Sequence, residues 1–165
     1  MKLEELICID SNINLDEYLI FYKFVKDSME HPEWLGNFEK EDLEFLLSHG
    51  SKIWIYKNSD HIVCSMMFIP ADEKAINKME LDLPYNKTSE LGPIMVHPND
   101  LGNGLSYQML QVFDKYSLDN GFIYSVTTVH PDNIFCIRNM EKDNFRCCAR
   151  KEFKRGVRNI YKKEL

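Results

Sequence analysis

A mixed α/β fold is what this sequence predicts, and three observations carry the prediction. Two amphipathic helical stretches come early. Two runs of β-branched and aromatic residues, split by a short polar turn, follow them. The C-terminal half then alternates strand, helix, strand, helix before two closing strands, and a strand–helix–strand order implies a right-handed crossover between parallel or near-neighbour strands. The 165 residues, 44% hydrophobic and 28% charged, suffice for one globular domain over 1–165, with no repeat, low-complexity tract or linker.

Each element has a local reason. From Asp16 to Met29, Tyr18, Phe21/Tyr22, Val25 and Met29 recur at helical spacing; from Glu39 to His49, Leu43 and Leu46/Leu47 share one side before Gly50 stops the helix. "KIWIYKN" and "HIVCSMMFI" form a predicted hairpin across Asn58-Ser59-Asp60. Ala71 to Ser89 reads as polar and irregular, long enough to suggest a mobile segment near a site. A strand follows at about Glu90 to Val96, then a helix at about Gly104 to Leu118 whose stripe is Leu105, Met109, Val112/Phe113 and Tyr116. Asn120-Gly121 ends it. A strand at Phe122 to Val129, a helix at Asp132 to Lys142, and strands in "FRCCARKEF" and "RNIYKKE" complete the chain.

Composition excludes several functions. The net charge is −6, which argues against a nucleic-acid partner, whose affinity depends on neutralising phosphates. The charge is also uneven: residues 1–90 hold 9 Lys+Arg against 18 Asp+Glu, residues 91–165 hold 11 against 8. That distribution suits an anionic ligand on the C-terminal half and a cationic one near the N-terminal half, with scattered solvated charge as the plain alternative. No apolar run approaches the roughly 20 residues of a membrane span, and Met1 to Asp10 lacks a signal-peptide layout, so no membrane partner and a cytoplasmic location are expected. Five cysteines with no CxxC pair fit reduced packing residues, and no metal site is expected.

The stretch "GPIMVHPNDLGNGLSYQML" is where chemistry concentrates. A strand that ends in a glycine-bearing turn and feeds a helix exposes unpaired backbone N–H groups at the helix's positive end, an arrangement suited to phosphate. Gly102 and Gly104 let the main chain approach such an anion. Gly92-Pro93 inside a strand-like run suggests a bulge or broken ladder, because proline cannot donate in a sheet interior. A nucleotide-binding P-loop is disfavoured, since no Gly-Lys-Ser/Thr follows the glycines.

The C-terminal half resembles the GNAT family of N-acetyltransferases, whose V/I-x-P-x-x-R/Q-G-x-G-x-G/A signature stands here as "VHPNDLGNGLS", Val96 to Ser106. A second landmark is in register: the strand "FIYSVTTV" and the helix "HPDNIFCIRNMEKDNF", similar to the family's N-x-x-A-x-x-x-Y-x-x-x-G-F element. The likeness covers roughly Glu90 to Phe145. It implies a mixed, mostly antiparallel central sheet flanked by helices, with a splayed pair of central parallel strands. It also implies acetyl-CoA as cosubstrate and direct attack of a primary amine on the thioester. By resemblance, Ile94, Met95 and Val96, then Leu101 to Ser106 (Leu101, Gly102, Asn103, Gly104, Leu105, Ser106), with Asn133 and Cys136, hold the cosubstrate. A backbone N–H around Met95 and Val96, with Met95 named first, is the implied oxyanion donor, Glu90 the implied base, and Tyr124 a second candidate for proton traffic; an exposed strand start and buried packing are the alternatives for Glu90 and Tyr124.

Four positions depart from the family pattern. Leu101 replaces Arg or Gln, Ser106 the last small residue, and Asn144 the glycine before Phe145, where asparagine still tolerates a left-handed turn. Met140 replaces the tyrosine that protonates the departing thiolate, and a thioether cannot donate a proton. An acyl-CoA-binding module with weak or no transfer, and an interaction protein with a merely structural turn, therefore stay as alternatives. His97 and His130, each before a proline, are expected as turn residues, and Cys136 has no base to make it a nucleophile. The acidic loop Glu30 to Glu44 suits a small cationic amine as acceptor. The closing strands permit a homodimer, and a monomer equally.

Overall fold

The first 13-residue helix shows how pattern becomes structure. In α1 (Leu15–Asp27) the buried residues are Leu15, Tyr18, Phe21, Tyr22 and Val25, a single stripe at three- and four-residue spacing, with Asp16 and Glu17 complementing the positive helix start. A computed structural model of the chain describes residues 6–165. The remaining elements are β1 (Leu6–Ile9), α2 (Lys40–Ser48), β2 (Lys52–Lys57), β3 (Ile62–Pro70), α3 (Glu73–Met79) and β4 (Thr88–Val96). They are followed by α4 (Leu105–Asp119), β5 (Tyr124–Val129), α5 (Ile134–Lys142), β6 (Arg146–Phe153) and β7 (Gly156–Glu164).

The strands form one seven-stranded sheet in the order β1-β2-β3-β4-β5-β7-β6. β1 with β2, β2 with β3, β5 with β7 and β6 with β7 are antiparallel, whereas β4 and β5 are parallel. The expected mixed, mostly antiparallel sheet with a central parallel pair is therefore present. Among the described residues no helix is long and apolar enough to cross a membrane.

The chain divides into two compact units, Met1–Ile69 with Gly92–Phe113, and Pro70–Leu91 with Asp114–Leu165. In the first, Leu15, Tyr18, Tyr22 and Leu43 pack with Ile53, Ile55, Met67 and Met95. Gly92 is required there by proximity: a Cβ at that position would lie 3.0 Å from the Cβ of buried Met67. In the second, Ala71, Ile76, Met79, Val126 and Ile160 form the core.

Two elements differ from the expectation. The four-residue β1 is too short to show alternation, and its strandedness comes from pairing with β2. The segment Ala71 to Ser89, expected as irregular, holds α3 and the first residues of β4. Asp72 caps α3 by accepting from Ala75 N at 2.6 Å, and Ile76 and Met79 are buried on its one apolar side. The segment is pinned to the sheet by Ala71 N donating to Thr88 O and Ile123 N to Lys87 O. The cysteines also depart from a packing role: Cys64 is buried, but Cys8, Cys147 and Cys148 are exposed. A bulge between Cys147 and Ala149 takes Cys148 out of the β6 register.

Candidate active site

In the first unit, β4 ends at Val96 and the chain turns through a short 3-10 segment, Pro98–Asp100, before α4. Gly102 and Gly104 follow with φ of +83° and +70°, the left-handed region in which a side chain costs about 1–2 kcal/mol. A Cβ on either would meet nothing within 4 Å, so the backbone here faces open space. Gly104 O accepts from Gln108 N at 3.1 Å, which makes Gly104 the residue that starts α4, one with no side chain to close the helix's first amides. No acidic residue occupies the first turn of α4. The turn therefore offers backbone donors and an uncompensated positive helix end, the conditions for a bound anion.

The predicted residues of this unit fall around that turn. Leu101 is 65% exposed, so the side chain in the usual Arg/Gln position reaches solvent. Asn103 donates its amide to Asp100 O at 3.2 Å and braces the loop. Leu105 and Ser106 begin α4 and are half-buried, as are Ile94 and Val96 on β4. Met95 is different: its side chain is in the apolar core. His97 N donates to Val63 O on β3 at 2.8 Å, and successive strand amides point to opposite edges, so Met95 N–H faces β3 and Val96 N–H faces the opposite edge.

In the second unit, β4 and β5 run parallel and pair Thr88 with Tyr124, Ser89 with Ser125 and Glu90 with Val126. Next along the pair, the Thr127 hydroxyl donates to Leu91 O at 2.9 Å. Ser89 and Ser125 hydroxyls bond across the ladder at 2.9 Å. Glu90 and Tyr124 lie on one face of this pair, since their register partners Val126 and Thr88 alternate with Ser125 and Ser89. Burial pushes the Glu90 carboxyl up to about 7, Asp72 adds to the rise, and Arg155 and Lys78 oppose it. A carboxyl half-ionised at neutral pH is a proton acceptor suited to general-base work.

Asn133 starts α5 and spends its side-chain oxygen as a helix cap, accepting from Cys136 N at 3.1 Å. Burial pushes the Cys136 thiol up to about 12, so it stays protonated and is no nucleophile. Met140 is 2% exposed. Asn144 has φ +65°, the left-handed turn expected of the glycine it replaces. His97 and His130 are turn residues, as anticipated: their Nδ1 atoms accept from Asn99 N and Asp132 N, both at 3.2 Å. In the acidic loop Glu39 is paired to Lys23 of α1, while the loop's own Lys40 is paired outwards to Asp16. Phe45 on α2 is 61% exposed.

Sequence reasoning missed Asp72 and Arg155 as partners of Glu90, and Thr127 as the donor to Leu91 O. Their separations along the chain carry no motif. It also missed His61, whose Nε2 lies 2.7 Å from Asp100 Oδ2 across 39 residues.

No family model and no curated protein matches the sequence. Solved structures do match, at low identity. An acetyltransferase of the GNAT family from Listeria monocytogenes is 16% identical with TM-score 0.75, covering 97% of this chain and 95% of that one. A ribosomal-protein-alanine N-acetyltransferase from Brucella melitensis is 14% identical with TM-score 0.73, covering 97% and 99%. A Salmonella typhimurium structure with its cofactor acetyl-CoA is 12% identical with TM-score 0.67, covering 96% and 93%. The fold of this chain is that of the GNAT acetyltransferases.

Proposed function

We propose that the protein is an acetyl-CoA-dependent N-acetyltransferase that moves an acetyl group to a primary amine by direct attack on the thioester. The observation that carries this reading is the Gly102-Asn103-Gly104 turn, two left-handed glycines opening backbone donors to empty space at the start of α4. The turn takes the pyrophosphate, and Ile94, Val96, Leu105 and Ser106 flank it. Asn133, through its amide nitrogen, and Cys136 serve the pantetheine arm. The fold likeness to acetyltransferases supports the assignment.

In the reaction the amine nitrogen forms a bond to the acetyl carbon, the carbonyl oxygen takes the negative charge, and the C–S bond then breaks with its electron pair on sulfur. The oxyanion donor in this reading is Val96 N–H rather than Met95 N–H, supported by strand alternation, which turns Val96 N–H away from β3. Glu90, raised to about 7, accepts the amine proton through water, and Tyr124 lies on the same face for proton traffic. The leaving thiolate has a free-thiol pKa near ~8.5, so it departs without a positioned acid at a cost of roughly 10²-fold.

The second reading, an acyl-CoA-binding module with weak or no transfer, is favoured by Met140, a buried thioether where a proton donor is usual. Calorimetric titration of acetyl-CoA and free CoA, with Gly104→Trp as the control, separates these outcomes when joined to an assay of amine-dependent CoA release. Binding lost in the variant together with CoA release supports the transferase. Binding without release across an amine panel selects the module. No binding to the unaltered chain withdraws both.

A further inference from the structure

We infer that His61, His97 and Asp100 form a binding site for one divalent transition-metal ion of the zinc class. The sequence led to no expectation of a metal, because that expectation rested on cysteine spacing. The ligand set instead comes from a β3 end and a 3-10 turn, both in the first unit.

The local structure explains why three ligating side chains converge. Pro98 opens the 3-10 segment, and in that geometry residues three apart lie on one side, so His97 and Asp100 face the same way. Their Nδ1 and Oδ2 atoms are 3.7 Å apart. His61 is fixed by the preceding turn, in which Asn58 Oδ1 accepts from His61 N at 2.8 Å and His61 O accepts from Asn58 N. The bond from His97 N to Val63 O then brings the second imidazole beside the first, with ring centroids 4.1 Å apart. Phe24 stacks on His97 at 5.1 Å and covers its outer side.

The distances suit a metal. One ligand atom from each residue lies within 4.8 Å of the others, and His61 Nε2 is 2.7 Å from Asp100 Oδ2. A tetrahedral zinc with bonds of about 2.0–2.1 Å needs ligand atoms about 3.3 Å apart, so the two separations to Asp100, 2.7 and 3.7 Å, bracket the requirement and small side-chain rotations meet it. His97 Nδ1 already accepts from Asn99 N and therefore carries a lone pair, the form that ligates. Zinc would replace that 3.2 Å bond and the proton between His61 and Asp100. Among the described residues, the ion-pair partners of Asp100 are the two imidazoles, so no lysine or arginine fills the position a cation would take. Two imidazoles with one carboxylate favour zinc over calcium or magnesium, which prefer all-oxygen shells. Three protein ligands leave a fourth position for water.

The test is titration of zinc chloride into the chelator-stripped full chain without CoA, followed by X-ray absorption spectroscopy of the loaded protein. One equivalent should bind with nitrogen and oxygen neighbours and no sulfur. His61→Gln and Asp100→Asn should each weaken binding by more than the roughly 10- to 100-fold typical of losing an outer-shell partner, with thermal melts verifying that each variant folds. Sulfur in the zinc shell would show a thiol ligand and overturn the assignment to His61, His97 and Asp100 alone. So would unchanged affinity in folded variants, or no binding by the unaltered chain. None of these outcomes depends on acetyl-CoA, so the metal site and the transferase reading stand or fall separately.

Discussion

The two parallel strands end in the same dipeptide, and the chain uses it for opposite purposes. After β4, His97-Pro98 folds back so that the imidazole accepts the amide two residues on; after β5, His130-Pro131 does the same at the same 3.2 Å distance. Beyond this shared bond the regions diverge. The first turn reaches its helix through Gly104, which has no side chain to cap the helix amides. The second reaches α5 through Asn133, which caps the helix itself. At the far end of α5, Asp143 is buried beside Lys163, which also pairs with Asp114 and sits 4.7 Å from the Phe145 ring centroid. A negative side chain at a helix C-terminus opposes the dipole, and Lys163 offsets it. One region keeps its polar groups available and the other satisfies them internally, so ligand binding should respond to changes in the first and stability to changes in the second.

The largest expected effect lies in the closed region. Lys163→Met removes the cation shared by buried Asp143 and half-buried Asp114, and such a break costs about 3–5 kcal/mol. Burial already pushes the Asp114 carboxyl up, with Lys163 pulling it down. Lys115→Met, which removes an exposed pair to Asp119, should change stability by only about 0.5 kcal/mol. Urea unfolding of both variants checks the contrast, and comparable losses would end the claim that this region is stabilised by its internal pairing.

Next is the open turn. Gly104→Val adds a side chain where none meets the protein, so the unliganded chain should lose only the left-handed strain of about 1–2 kcal/mol. Removing two phosphate-facing amide bonds, each worth about 1.5 kcal/mol or more, should weaken acetyl-CoA binding roughly 10²-fold. A variant that melts lower yet binds normally would mean the turn is structural.

Glu90 gives a pH-dependent test of the ladder between the two regions' parent strands. Its folded-state value of about 7 lies above the ~4.3 of an unfolded glutamate, so the folded state retains a proton that the unfolded state releases. The stability from protonated Glu90 is complete below about pH 4 and is lost as pH rises through 7. Relative to the unaltered chain, Glu90→Gln should therefore gain stability between pH 4.5 and 7.5, measured as the difference between paired thermal melts. If transfer is observed, the same variant should lose the acid limb of kcat/KM that centres near 7. A difference that does not vary with pH would remove Glu90 as a neutral-range base.

What could be read from sequence divides along the same physical line. The Gly102/Gly104 turn and the two His-Pro turns are set by adjacent residues, and local chemistry identifies them; the left-handed Asn144 follows from the family resemblance, where it stands in for a glycine. The helices α1 and α2 and the β2–β3 hairpin were legible because their apolar spacing repeats over several residues. β1 was not, since four residues carry no period; α3 was missed because only Ile76 and Met79 mark its apolar side. The raised value of Glu90 depends on Asp72 and Arg155, and the approach of His61 to Asp100 on a strand register; both are products of packing across the chain. Met95 illustrates the remaining gap. Its place in the strand was expected, but the edge its amide faces follows from one hydrogen bond two residues later.

The smallest effect separates two roles for one residue. Asn133→Ala removes the α5 cap and should cost about 1 kcal/mol. Asn133→Asp keeps an oxygen to accept from Cys136 N, so stability should return, but it loses the amide nitrogen proposed to serve the pantetheine arm. If both roles are real, the alanine variant is less stable and binds acetyl-CoA more weakly, whereas the aspartate variant is stable and still binds weakly. Full recovery of affinity in the aspartate variant would assign Asn133 to the helix alone, and the second His-Pro turn would then be closed to the cosubstrate entirely.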